Sequence, residues 1–98
     1  MATYVVSSSL TQRGIESVKE SPARVEAAKQ TFKTIGAQVK EFYMVMGAHY
    51  DTLFIVEAPD DETVAKAALS IGSLANVRTE THRAFTEDEY RKIIAGLR

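Results

Sequence analysis

The chain has no cysteine among its 98 residues. Disulfide staples and thiolate metal sites are therefore excluded, and nothing in the sequence argues for an oxidising compartment. Excess charge of one sign is also missing: twelve basic and thirteen acidic residues leave a net charge of −1. That balance gives no electrostatic footprint for nucleic acid. Apolar runs extend over only a few residues, too short for a membrane-spanning helix. The N-terminus, Met1 to Ser7, has no basic start followed by a long apolar region, so it reads as a strand rather than a signal peptide. Internal repeats and low-complexity tracts are absent. Gly47 and Gly72 do not belong to a strand, glycine-rich loop and helix unit, so no phosphate cradle is indicated. Ser7-Ser8-Ser9 lacks an adjacent histidine and carboxylate, and no nucleophile signature results.

What is present is ordinary for a folded domain: 45% hydrophobic and 26% charged residues. The length predicts one domain over residues 1–98, with a core small enough that association with another subunit would help. Thr3 to Ser8 is short and rich in β-branched residues, which predicts a first strand near the middle of a sheet. From Ile15 onward Val18, Val25, Ala28, Phe32 and Ile35 follow a helical stripe, interrupted at Ser21-Pro22, where serine is expected to cap a longer helix. Gly36 ends it.

Val39 to Met46 predicts a second strand with faces Val39-Glu41-Tyr43-Val45 and Lys40-Phe42-Met44-Met46. After a glycine-containing turn, Thr52 to Ala58 predicts a central third strand with apolar residues on both sides. Asp60 is placed to cap a helix whose buried stripe is Val64, Ala67, Ala68 and Ile71, and Gly72 to stop it. Val77 to Phe85 predicts a fourth strand with Arg78, Glu80, His82 and Ala84 on its polar face. Thr86 and Glu89 then form a capping box for a C-terminal helix carrying Tyr90, Ile93, Ile94 and Leu97, with Phe85 and Tyr90 placed for a hydrophobic staple.

This order, β-α-β-β-α-β plus a terminal helix, is the ferredoxin-like α+β pattern, in which both helices cover one face of an antiparallel sheet. Apolar residues on both sides of the second and third strands would leave a large greasy patch on a monomer. Two sheets paired face to face would bury it, so a homodimer is expected.

Three sets of side chains carry candidate chemistry. His49, Tyr50 and Asp51 bring together a proton exchanger, an orienting carboxylate and a phenol, a set suited to cofactor-free chemistry on a small carbonyl or phenol. The alternative is a hairpin shaped by Gly47 and Asp51, with Tyr50 packed at its edge and His49 solvated. Arg78, Glu80 and His82 share one face of the fourth strand and would make a polar pocket if that face lined an intersubunit cavity. Edge charges that discourage aggregation explain the same pattern. Tyr4, Phe42, Tyr43, Met44, Met46 and Phe54 are candidates to line an apolar cavity between paired sheets, or simply to fill that interface. Two histidines on different elements meet no metal spacing, and neither a metal nor another cofactor is expected.

Several stretches together identify a resemblance: Tyr4-Val5-Val6, Thr11-Gln12-Arg13-Gly14-Ile15, Ser21-Pro22-Ala23-Arg24, the Gly47 to Asp51 turn, Glu57-Ala58-Pro59-Asp60-Asp61-Glu62, and Asn76-Val77-Arg78-Thr79-Glu80-Thr81. Over nearly its whole length the chain resembles the GYD domain family. That family usually has one residue between the glycine and Tyr-Asp, whereas Ala48 and His49 both intervene here. More distantly, Gly47 to Val56 and Val77 to Thr81 resemble the effector-binding domain of Lrp/AsnC regulators, without their DNA-binding helix-turn-helix. The resemblance implies a dimeric α+β barrel of largely unassigned function. It leads to the expectation of a cytoplasmic, homodimeric module that binds or senses a small molecule, with neither nucleic acid nor membrane as partner. Expected ligand contacts are Tyr43, Phe54, Arg78 and Glu80. A cofactor-independent isomerase or monooxygenase and a purely structural assembly domain stand as alternatives.

Overall fold

The computed structural model describes residues 1–98. Four strands, β1 (Ala2–Leu10), β2 (Gln38–Met44), β3 (Thr52–Ala58) and β4 (Val77–Ala84), form one antiparallel sheet in the order β2-β3-β1-β4. Helix α1 (Gln12–Glu16) and a 3₁₀ turn (Val18–Glu20) lead into α2 (Ser21–Ile35), α3 (Asp61–Gly72) joins β3 to β4, and α4 (Glu87–Ala95) follows the last strand. The arrangement is the ferredoxin-like α+β fold, with α2 and α3 on one side of the sheet. No helix is long and apolar enough to cross a membrane.

Strand alternation decides which side chains meet those helices. Tyr4 and Val6 of β1 and Phe54, Val56 and Ala58 of β3 join Ala28 and Phe32 of α2 and Val64 and Ala67 of α3 in the buried core. Three aromatic rings run through it, Phe32 to Phe54 at 5.5 Å and Phe54 to Phe42 at 4.9 Å between centroids. Tilted contacts of this kind set the positive edge of one ring toward the face of the next.

The second strand departs from simple alternation. Its pairing with β3 skips a residue between Val39 and Glu41, a bulge at Lys40. Val39 and Phe42 therefore both pack against the core, whereas strict alternation assigns them to opposite faces. The strand also stops at Met44, short of the expected Met46.

Two helix boundaries differ from expectation as well. Ser21 is the first residue of α2 rather than its cap, because the 3₁₀ turn runs straight into the helix and the Ser21 N–H already donates to Val18 O. Glu20 holds the cap position, and Pro22 occupies the first turn. Gly72 is the last residue of α3, with Ser73 as cap, and the chain turns at Ala75, whose φ is +66°. Other stops follow the sequence. Gly36 closes α2 at φ +111°, Asp60 caps α3 through the Thr63 N–H at 2.8 Å, and Thr86 and Glu89 form their reciprocal box at α4.

Helix α1 is held by a latch that its sequence does not announce. Thr11 Oγ1 accepts the Gly14 N–H at 3.0 Å and donates to Ala75 O at 2.6 Å, while the Thr11 N–H donates to Asn76 O at 3.1 Å. This brings the helix so close to the α3–β4 connection that a Cβ on Gly14 would lie 2.1 Å from Asn76 O. Helix α4 stands at the other extreme. It has no buried residue: Tyr90, Ile93 and Ile94 are 45 to 58% exposed, and Leu97, expected on the helix, lies beyond its end at Ala95 and is exposed too. The molecule measures 51 × 31 × 17 Å.

Denaturant unfolding checks the two tightest points. Phe32→Ala, at the fully buried end of the aromatic row, is expected to cost about 3–5 kcal/mol. Gly14→Ala is expected to cost about 1–3 kcal/mol, because the contacted atom is backbone and cannot swing aside.

Candidate functional site

The face of the sheet opposite α2 and α3 carries the candidate site. Register across the strands places Tyr43, Leu53, Ser7 and Glu80 in one transverse row, and Glu41, Ile55, Val5 and His82 in the next. The centre of the face is thus apolar, from Val5, Leu53 and Ile55, all half-buried. One edge presents Tyr43 and Glu41. The other presents Arg78, Glu80 and His82, which pair with Ser9, Ser7 and Val5 respectively and are exposed. Ser7 is buried between them and donates its hydroxyl to Glu80 O at 3.4 Å.

Of the residues singled out from sequence, Tyr43, Arg78, Glu80 and His82 share this face. Tyr43 and Glu80, however, lie three strand spacings apart, about 14 Å. A small ligand on one protomer cannot touch both. Phe54 is on the opposite face, 5% exposed against Phe32 and Phe42, because β3 alternation turns Leu53 and Ile55 outward instead. Tyr4 and Phe42 go the same way, so three of the six side chains considered for an intersheet cavity serve the protomer core.

The hairpin group lies beyond the end of this face. Gly47, at φ +81°, makes the turn. Asp51 then clasps the hairpin to β1: its N–H donates to Ser8 O at 2.9 Å, its carboxylate Oδ2 accepts the Leu10 N–H at 2.8 Å, and its carbonyl accepts the Val45 N–H at 2.8 Å. That carboxylate shapes the backbone. Ser9 Oγ donates to His49 O at 3.3 Å, and the exposed His49 ring meets Tyr50 edge-on at 5.7 Å.

On the helix side the structure assembles a cluster that sequence reasoning missed. Buried Tyr4 donates its hydroxyl to Asp61 Oδ1 at 2.5 Å, across 57 residues of chain. The Arg83 guanidinium lies 5.7 Å from the Tyr4 ring centre and 4.4 Å from that of Phe85, a cation facing two aromatic surfaces. Arg83 also reaches Glu89 at 3.7 Å, linking β4 to α4. Asp61 reads from sequence as a first-turn charge, and only the fold brings it to Tyr4. The hydrogen bond to Asp61, then burial, raise the Tyr4 pKa above its ordinary 10.0. Glu89 is lowered from 4.5, chiefly by the Thr86 backbone N–H, and Asp60 from 3.8, chiefly by the Thr63 hydroxyl.

The model of the GYD domain matches residues 4–94. The chain belongs to the GYD domain family. A Thermus thermophilus relative described as a glutamine synthetase and cystathionine beta-lyase binding protein is 38% identical over 85 residues, covering 86% of this GYD chain and 88% of the relative. A crystal structure of a protein from Thermus thermophilus superposes with a TM-score of 0.56 at 31% identity, covering 88% of this chain and 95% of that one. The Mycobacterium tuberculosis leucine response regulatory protein gives 0.63 at 19% identity over 87% of this chain. A feast or famine regulatory protein from the same organism, complexed with L-methionine, gives 0.65 at 17% over 88%. The GYD chain spans about half the length of these two regulators, 51% of each, and the likeness to them is one of fold.

Asp51→Ala is expected to lower stability by about 1 kcal/mol by stripping the Leu10 N–H of its acceptor, with faster hydrogen exchange at Leu10 as the local readout. The pH limits follow from sign. The folded Tyr4 pKa is raised, so its contribution is complete below pH 10 and is lost as pH climbs through the folded value. Tyr4→Phe should flatten that alkaline limb in unfolding curves. Asp60 and Glu89 are lowered, so their contributions are present above pH 3.8 and 4.5 and are lost as pH falls through the folded values. Acid should weaken the α3 and α4 caps.

Proposed function

We propose that this GYD domain protein is a homodimeric module that binds or senses a small molecule, two copies pairing through their open sheet faces. The observation that carries the reading is the apolar patch of Val5, Leu53 and Ile55 at the centre of a face covered by neither α2 nor α3. A sheet with one apolar face packed and the other apolar at its centre is stabilised by adding a second apolar layer. A pairing that lays β2 of one copy over β4 of the other would bring Tyr43 to the partner's polar edge and remove the separation of about 14 Å within a protomer. Arg78, Glu80 and His82 then stand at the rim, where an anion-binding group, a carboxylate and an imidazole can orient a polar ligand. A cytoplasmic setting is part of this proposal.

A second reading is favoured by the relative's description: the module docks on metabolic enzymes, as that protein does on glutamine synthetase and cystathionine beta-lyase. The two readings are compatible, since a ligand between the subunits would alter the surface offered to an enzyme. A catalytic reading has less support. Asp51 serves the Leu10 N–H, so proton transfer would rest on His49 and Tyr50 at the hairpin or on Glu80 and His82 at the sheet edge.

Light scattering on the wild-type protein at about 10 μM should give twice the protomer mass, and Ile55→Asp should give the protomer mass with helix content retained. A wild-type monomer at that concentration overturns the pairing. For the second reading, immobilised protein should capture glutamine synthetase or cystathionine beta-lyase with a Kd near or below about 10 μM. Absence of binding to both at tenfold higher concentration removes it.

A further inference from the structure

The core under the helices is not filled along its whole length. Where β1 gives way to α1, a cavity of about 120 Å³ opens between α2, the end of α3 and the sheet. Phe54 and the hydroxyls of Ser8 and Thr52 line its sheet side, and Val25, Ala28 and Ile71 line its helix side. Small side chains at Ser8 and Ala28 leave the space. The Ser8 and Thr52 hydroxyls hydrogen-bond to each other, so this part of the wall meets a guest with its polar atoms already paired.

The solvent edge is different. Arg24, with its side chain 27% exposed, lines the same cavity. Its guanidinium donates to Ser17 Oγ at 2.5 Å and to Gly14 O at 3.5 Å, and faces Glu20 at 3.7 Å. Glu20 is 74% exposed, a solvated partner that competes weakly for this cation. Asn76 also lines the cavity, its backbone carbonyl engaged by the Thr11 N–H.

We propose that this cavity binds a short-chain monocarboxylate, with the aliphatic tail under α2 and the carboxylate at Arg24. Size sets the tail. A dry cavity of about 150 Å³ holds a benzene molecule, so the space here suits a chain of about four to six carbons. Charge sets the head group: Arg24 is the cation at the mouth, and its N–H groups beyond those given to Ser17 and Gly14 can donate to a carboxylate. The cavity is on the opposite side of the sheet from the proposed pairing face and stands apart from that reading.

Amide chemical-shift titration of the whole protein tests it, with butanoate, 3-methylbutanoate, hexanoate, decanoate and the neutral 3-methylbutanamide as probes. Affinity should peak among the acids of about four to six carbons and fall at least tenfold for decanoate. The amide should bind at least tenfold more weakly than its acid, and shifts should centre on Ser8, Ala28 and Thr52. Ala28→Leu, which fills the cavity, should weaken binding at least tenfold. Affinity that rises steadily through decanoate places the tail on an open surface and overturns the proposal. So do equal affinities for acid and amide, or a folded Ala28→Leu that binds unchanged. If that variant does not fold, the wild-type chain-length series decides alone.

Discussion

Both crossovers, through α2 and through α3, bring their helices to the same side of the sheet, and this one-sidedness governs what every strand residue can do. Right-handed connections in a split β-α-β arrangement permit no other outcome. Tyr4, Val6, Phe54 and Val56 consequently become core, and their neighbours one step along the strand, Val5, Leu53 and Ile55, do not. The two apolar faces visible in the sequence are real. Their fates differ because the chain supplies helices for only one of them.

Helix α4 extends the same logic. Its cap is complete and its apolar residues are correctly spaced, yet none of them is buried. Its ion pair to the sheet, Arg83–Glu89, is a partly exposed contact worth little in isolation. Local signals are therefore sufficient to write this helix, whereas α2 and α3 are fixed by packing.

The fold is legible in the sequence wherever a signal is local. Gly36, Asp60 and the Thr86–Glu89 box all work as their residue types require, and most strand ends fall within one or two residues of where the pattern puts them. Legibility fails where two distant segments decide an outcome. The bulge at Lys40 depends on how β2 registers against β3, and no residue in β2 advertises it. Thr11 caps α1 through the nearby Gly14 N–H, but it latches the helix down only because the fold brings Ala75 and Asn76 beside it. The candidate site divides in the same way. Alternation correctly groups Arg78, Glu80 and His82, but it cannot say which face of β3 the helices take, and so Phe54 lies on the side opposite to the one expected. Asp51 is ambiguous for a related reason: its partner, the Leu10 N–H, is 41 residues away.

The latch between α1 and the α3–β4 connection bears on the order of folding events. Thr11 and Ala75 are separated by 64 residues, and joining such distant points early would sacrifice chain entropy that only a formed sheet can offset. The latch therefore closes after β1 and β4 have paired. Contacts that form after the transition state govern how long the native state survives rather than how fast it is reached. Gly14, a residue without a side chain, thus acts on the lifetime of the folded protein.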